Sequence, residues 1–353
     1  MQAMMNNPFY SQEMQGPFQS YPLGDWILEE GGTLRGATLA YATHGKLNKA
    51  RDNAILIPSW FSGTSKVFEQ AYIAKGRALD PSRYFIICVN QLGNGLSSSP
   101  HNTPGNGGRG NFPRIRIGDD VRAQHKLITE HFGISYLALV VGGSMGAQQT
   151  YEWAVRYPAM VRRAAPIAGT AQNTPHDFLY TESLIDAIKS DPGFKNGWYD
   201  SHTEVREGLA RHALLWAVMG LSTAFYKQEF WRQLGFSSVD DFRTNLLEAV
   251  FTAMDPNNLL CQAWKWQHGD VARHTGGDLK KALGRITAKT FVMPIDEDMF
   301  FPPRDCRHEQ KMIKSSEFRV LNSICGHLVV TGLDPDFLQQ VDQHLKELLA
   351  IPV

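Results

Sequence analysis

Residues 136–157, YLALVVGGSMGAQQTYEWAVRY, constrain the fold more than any other stretch. A short run rich in Leu and Val leads into Gly142-Gly143-Ser144-Met145-Gly146, as a strand buried on both faces does. Behind it Ala147, Tyr151, Ala154 and Val155 recur at helical spacing until Pro158 closes the segment. Strand, sharp turn and helix therefore meet at Ser144. A G-x-S-x-G pattern in that setting puts a serine at the apex of a strained turn. Glycine is needed two residues to either side, because a Cβ there would strike neighbouring backbone. The turn lifts the hydroxyl off the sheet and aims the N–H of Met145 at negative charge developing on a nearby carbonyl oxygen.

The rest of the chain supplies a sheet for that turn. Residues 1–22 mix Asn, Gln, Pro and Gly without period and read as a loosely held arm. Residues 25–28 and 37–41 read as antiparallel edge strands separated by the Gly31-Gly32 turn. Residues 53–58 and 84–90 are apolar runs of buried-strand type, and the interval of roughly 30 residues suits a crossover unit. Residues 119–131 carry an apolar helical face, 164–169, 290–294 and 318–321 read as later strands, and 336–349 as a closing helix. From about 175 to 285, Trp198, Trp216, Trp231, Trp264 and Trp266 fall among helix-like segments without a buried strand. That is the character of a cap laid over the catalytic edge, although core packing is the better account of any single Trp. The expected fold is therefore α/β: a mostly parallel central sheet with a helical cap inserted after the sixth strand. The core would comprise residues 1–174 and 286–353, the cap 175–285.

Composition removes several function classes. Lys plus Arg equals Asp plus Glu at 35 each, so no net field favours nucleic acid or an anionic membrane. No 18 apolar residues run together, and the first residues lack a basic start and an apolar core, which predicts neither membrane spanning nor secretion. Cys88, Cys261, Cys306 and Cys325 form no C-x-x-C pair and no metal-ligand spacing; they read as reduced thiols of a cytoplasmic protein. Residues 105–110, GNGGRG, formally match a dinucleotide fingerprint, but neither a strand precedes nor a helix follows them. No metal and no cofactor is expected.

A serine hydroxyl is a weak nucleophile until a His removes its proton and a carboxylate holds that His in the right tautomer. The chain offers both in order: Asp296, Glu297 and Asp298 after residues 290–294, and His327 after residues 318–321. Spacing leaves the choice among the three acids open. His274 and His308 fall in segments where packing or surface roles explain them. After the strand at 53–58, the loop Ser59-Trp60-Phe61-Ser62-Gly63-Thr64 can bring a second N–H, that of Phe61, beside that of Met145, with Trp60 walling the pocket.

These pieces carry a family resemblance. YATHGKLNKARDNAIL, KGRALDPSRYFIICVNQLGNGLSSSP, FPRIRIGDDVRAQHKL, VGGSMGAQQTYEWAVRYP, DMFFPP and a late GH occur in this order over nearly the whole chain. In this the chain resembles the homoserine O-acetyltransferase family of α/β-hydrolase enzymes. The resemblance implies an α/β-hydrolase fold and a triad of Ser144, Asp298 and His327. Asp298 is the acid it selects, because that residue directly precedes the Met299-Phe300-Phe301-Pro302-Pro303 run. It also implies a homodimer formed through the cap and an acyl group held on Ser144 between half-reactions.

Departures from that family have a physical direction. Ala147 and Gln148 stand where the family has Gly-Met, and SWFSG replaces HALTG. Leu328 occupies the place of an Asp beside the catalytic His, and Ala213 that of a cap Arg, with Arg206 or Arg211 able to take over its role. Losing that carboxylate and guanidinium forfeits charge-assisted hydrogen bonds worth about 1.5–3 kcal/mol each, which a zwitterion such as homoserine needs. The expected activity is hydrolysis of short, acetate-type esters. The alternatives are a true homoserine O-acetyltransferase with acetyl-CoA as co-substrate, and a ligand-binding protein without turnover.

Overall fold

A computed structural model describes residues 6–353. Eight strands form one sheet: β1 (Gln19–Ile27), β2 (Thr33–His44), β3 (Ala54–Pro58), β4 (Phe85–Val89), β5 (Leu139–Gly143), β6 (Arg163–Ile167), β7 (Lys289–Val292) and β8 (Ser316–Phe318). Their order is β1-β2-β4-β3-β5-β6-β7-β8. Only β1 and β2 run antiparallel to their neighbours; from β4 to β8 every pair is parallel. The parallel strands are the ones written as continuous Val, Ile and Leu, because helices cover both faces, and Ile55, Ile86, Val140 and Leu139 are all buried. β1, at the open edge, is mostly exposed.

Two expectations are corrected. Residues 1–5 of the predicted arm lie outside the described residues, but the rest is held firmly. Asn7 Nδ2 donates to Ala253 O at 3.0 Å, the buried Tyr10 hydroxyl accepts from Asp255 N–H at 3.1 Å, and Thr64 Oγ1 donates to Gln15 Oε1 at 2.7 Å. β1 itself begins within the predicted arm. The partners lie far along the chain, so no local period betrays them. The last strand ends at Phe318 instead of residue 321; beyond it only Leu321 bridges, opposite Ile295. Pro294 has no N–H to continue the ladder, though its carbonyl still accepts from Leu321.

Between β6 and β7 the chain is helical, with Pro175–Lys189, Arg206–Met219 and Pro256–Gln267 as the long elements. Trp216, Trp231 and Trp266 are buried there, while Trp198 and Trp264 are half-buried. No helix among the described residues is long and apolar enough to cross a membrane. The glycine-rich segment 105–110 is formed by two isolated helical turns, Gly105–Gly107 and Arg109–Asn111.

Candidate active site

β5 stops at Gly143, and Ser144 takes φ 54° and ψ −124° before the helix Met145–Arg156 begins. A non-glycine residue there is strained, and the strain is held by Ser144 N–H donating to Ile167 O at 2.9 Å on β6. The flanking glycines follow from close contact. A Cβ on Gly142 would lie 2.4 Å from the Gly146 carbonyl, and one on Gly146 2.6 Å from Pro58 O.

Two loops at the same sheet edge bring the partners. His327 lies in the short turn Gly326–Thr331, its Nε2 2.9 Å from Ser144 Oγ and its Nδ1 2.7 Å from Asp298 Oδ2. A carboxylate only accepts, so Nδ1 carries the proton and Nε2 is free to take the serine's. Asp298 is fixed from its other side, where Oδ1 accepts Phe300 N–H at 2.8 Å and Phe301 N–H at 3.1 Å. Asp296 and Glu297, the acids that spacing could not exclude, are exposed, and Asp296 Oδ1 is spent on Ser323 N–H at 3.0 Å. Among the other histidines, His274 pairs with Glu152 at 2.8 Å and His308 is exposed. His212 in the cap accepts from Trp216 Nε1 at 3.1 Å and is held neutral by burial, its pKa pushed down to about 4.

The loop after β3 closes the opposite wall. Ser62 sits at φ 59°, and Gly63 is required because a Cβ would lie 2.3 Å from Trp60 Nε1. The N–H groups of Phe61 and Met145 donate to no protein acceptor among the described residues, so both are free for a ligand oxygen. Phe61 stacks on Trp216 at 5.3 Å, and Trp60 leans on Phe68 at 4.3 Å. Sequence reasoning missed what holds this loop: Gln91, Gln262, and a buried ion pair of Lys265 with Asp120. The visible signal was Lys265 set between Trp264 and Trp266, an unusual place for a cation.

The cavity in front of Ser144 and His327 is small, about 40 Å³, walled by Trp60, Phe61, Trp216, Phe251, Leu328 and Val330. Among the described residues no Arg, Lys, Asp or Glu lines it. Ala213 is fully buried, and Arg206 and Arg211 are exposed; Arg211 donates to Ala187 O and Ser190 Oγ, away from the cavity. Leu328 packs on Gly220 at the end of the cap helix Arg206–Met219, where a Cβ would lie 2.8 Å from Leu328 Cγ. A larger cavity of about 400 Å³, between Arg109, Arg114 and Trp264, shares no wall residue with the small one. The larger cavity has neither Ser144 nor His327 in its wall; the small one has both, hydrogen-bonded to each other.

Residues 53–330 match the family model described as alpha/beta hydrolase fold. The chain is 59% identical over 346 residues to an ethyl acetate hydrolase of Pseudomonas veronii, spanning 98% of this chain and 99% of that one. A crystal structure of an acetylester hydrolase from Corynebacterium glutamicum has TM-score 0.98 at 56% identity, covering 99% of this chain and 100% of the other. A homoserine O-acetyltransferase of Leptospira biflexa is 31% identical over 329 residues, 85% of each chain. The chain therefore belongs to the alpha/beta hydrolase fold family, as a serine-dependent ester-hydrolysing member whose more distant relatives are homoserine O-acetyltransferases.

Proposed function

We propose that this enzyme hydrolyses esters of short, acetate-type acids through an acyl-enzyme on Ser144. One observation carries the reading: the cavity beside Ser144 is about 40 Å³, apolar and aromatic, without a charged side chain on its wall. Drug-sized ligands occupy several hundred Å³, so only a small acyl group fits without displacing aromatic rings. A zwitterionic acceptor would leave its carboxylate and ammonium desolvated and unpaired there, whereas water or a small alcohol needs no counter-charge. The two ester-hydrolysing relatives, named for ethyl acetate and acetyl esters, point the same way.

In this reading His327 Nε2 takes the proton of Ser144 Oγ as that oxygen bonds to the ester carbonyl carbon. The carbonyl electrons move onto oxygen, which the N–H groups of Met145 and Phe61 hold. The intermediate collapses, the carbon–alkoxy bond breaks, and the Nε2 proton leaves with the alcohol. Water then gives a proton to His327 and its oxygen attacks the acyl carbon. Collapse breaks the bond to Ser144 Oγ, which recovers its proton, and the acid departs. Asp298 keeps Nδ1–H oriented and stabilises the imidazolium in both halves.

Residues 175–285 act in this reading as a cap domain that excludes bulk water and pairs with a second copy. Exposed Leu214 and Val218, one turn apart on helix Arg206–Met219, offer an apolar face for it. Four unpaired cysteines suit a reducing, cytoplasmic setting. The test uses two assays on the purified chain, one with a chromogenic acetate ester and one with acetyl-CoA and homoserine. Ester hydrolysis without homoserine acetylation is expected. Rapid acetylation with negligible ester turnover would overturn the reading.

A further inference from the structure

Phe61 N–H is useful to an oxyanion only if its peptide plane is tilted correctly. In a trans peptide the C=O and N–H of one plane point in opposite directions, so whatever grips the Trp60 carbonyl aims the Phe61 N–H. Within the loop Trp60 O accepts Gly63 N–H at 3.2 Å; the shorter grip comes from outside it, from Gln91, fully buried just beyond β4, whose Nε2 donates to Trp60 O at 2.8 Å. An amide can sit either way round, and only its partners decide which end is nitrogen.

Lys265 removes that choice. Its ammonium has donors only, and it lies 3.0 Å from Gln91 Oε1, so the amide oxygen must face the lysine and the NH₂ must face Trp60. The other two ammonium protons go to Leu92 O at 2.7 Å and Asp120 Oδ2 at 2.5 Å, while Asp120 Oδ1 accepts Leu92 N–H at 2.7 Å. Both side chains of the ion pair are fully buried. Apolar packing commonly replaces such a pair without loss of stability, which directs attention to what else the pair does. Here it orients one amide and, through charge-assisted bonding, strengthens that amide's donation to the peptide beyond it. Gln262, one turn before Lys265 on helix Pro256–Gln267, adds a second tether: its Oε1 accepts Ser62 N–H at 3.0 Å.

We propose that Gln91, oriented by Lys265, is a positioning residue for the oxyanion hole, holding the Trp60–Phe61 peptide so that Phe61 N–H faces the ester oxygen. The proposal rests on the esterase reading and on the assignment of Phe61 to the hole. It makes the cap helix Pro256–Gln267 part of the machinery that stabilises the transition state.

The test compares wild type, Gln91→Leu and Gln91→Glu. The Glu variant keeps an acceptor for Lys265 but has no N–H for Trp60 O. Measured quantities are kcat and KM on a chromogenic acetate ester, melting midpoint, and inhibition by a trifluoromethyl ketone, whose serine adduct carries an oxyanion. Losing a well-aimed oxyanion donor lowers kcat by about 100-fold, so both variants should fall by roughly that factor with KM within about threefold. Ketone inhibition should weaken in parallel. A residue with a purely structural role would lower the melting midpoint and leave ketone affinity of the folded enzyme intact, and that pattern overturns the proposal. So does a folded variant with kcat within about threefold of wild type; Gln91→Glu decides alone if Gln91→Leu does not fold. Wild type that neither turns over the ester nor reacts with a serine-directed phosphonate would instead sink the esterase reading, before any variant is compared.

Discussion

The two walls of the catalytic cavity are held by different means. On one side Ser144, Asp298 and His327 sit on loops that follow β5, β7 and β8; Ser144 and Asp298 are fixed by backbone groups on the adjoining strand or within the loop, and His327 is held by Asp298, with Leu328 N–H beside it donating to Gly220 O at 2.8 Å. On the other side the loop of Trp60 and Phe61 depends on side chains far away in sequence; Gln91 and Lys265 are 174 positions apart. The proton relay is thus built into the sheet edge, while the proposed oxyanion donor and the selectivity depend on how the helical region meets that edge. Substitutions on the first wall should abolish turnover, and those on the second should tune it.

The sharpest contrast comes from the serine. Ser144→Ala should lower kcat by about 10⁶-fold and abolish labelling by a serine-directed phosphonate. Retained labelling would assign another nucleophile. Asp298→Asn comes next, with a loss of about 10⁴-fold, because an amide at that position favours the wrong imidazole tautomer. Asp296→Asn, two residues away and exposed, should stay within about threefold. The reverse ranking would reassign the acid.

The cap wall predicts a gentler response. Phe251, contributed by the helical region, lines the small cavity. Phe251→Leu opens space for additional methylenes, each worth about 0.8 kcal/mol when buried. The hexanoate-to-acetate ratio of kcat/KM should rise by roughly tenfold while kcat on acetate changes little. An unchanged ratio would mean that this ring does not limit acyl length.

The same division explains what could be read from the chain. The elbow at Ser144, the strands that flank it and the order serine, acid, histidine are patterns of local spacing; the structure has β5 and β6 at the elbow and hydrogen-bonds Ser144, His327 and Asp298 in one chain, while the last strand is shifted to Ser316–Phe318. Three adjacent acids were not separable by spacing, since only burial and the N–H groups of Phe300 and Phe301 distinguish Asp298. The resemblance singled it out through the residues that follow it. Tyr10, which docks near Asp255, and Gln91, which meets Lys265, make contacts that leave no periodic trace. Position 213 shows the limit from the other side: Arg206 and Arg211 were plausible cations from the sequence, and their exposure takes them out of the cavity.

The smallest expected effect tests the joint between the two walls. Glu309, on the helix Pro303–Gln310 that follows the triad acid's loop, accepts Ala171 N–H at 2.7 Å and Gln172 N–H at 3.1 Å where the chain leaves β6 for the cap. Burial pushes its carboxyl from the usual 4.5 up to about 8, against the opposing pull of those two N–H groups. A folded-state pKa above the unfolded one means that the native state binds the extra proton. The stability this contributes is complete below about 4.5 and is lost as pH rises through about 8. Asp120 and Asp255, each raised to about 6 by burial, act in the same direction at lower pH. His101 and His212, each lowered to about 4 by burial, act oppositely there, as do His125, His202, His268 and His344, also lowered by burial, so the opposing histidine contribution ends near 6.5; Asp177, whose carboxyl burial also raises, acts in the same direction as Glu309. The melting midpoint should therefore fall by a few degrees between about pH 6.5 and 8, and Glu309→Gln should flatten that slope while lowering the midpoint at pH 6 by removing one N–H acceptor. A flat wild-type profile over the same interval would mean that the two N–H bonds outweigh burial and keep the carboxylate charged, so that the core-to-cap joint is an anion held by backbone rather than a neutral acid.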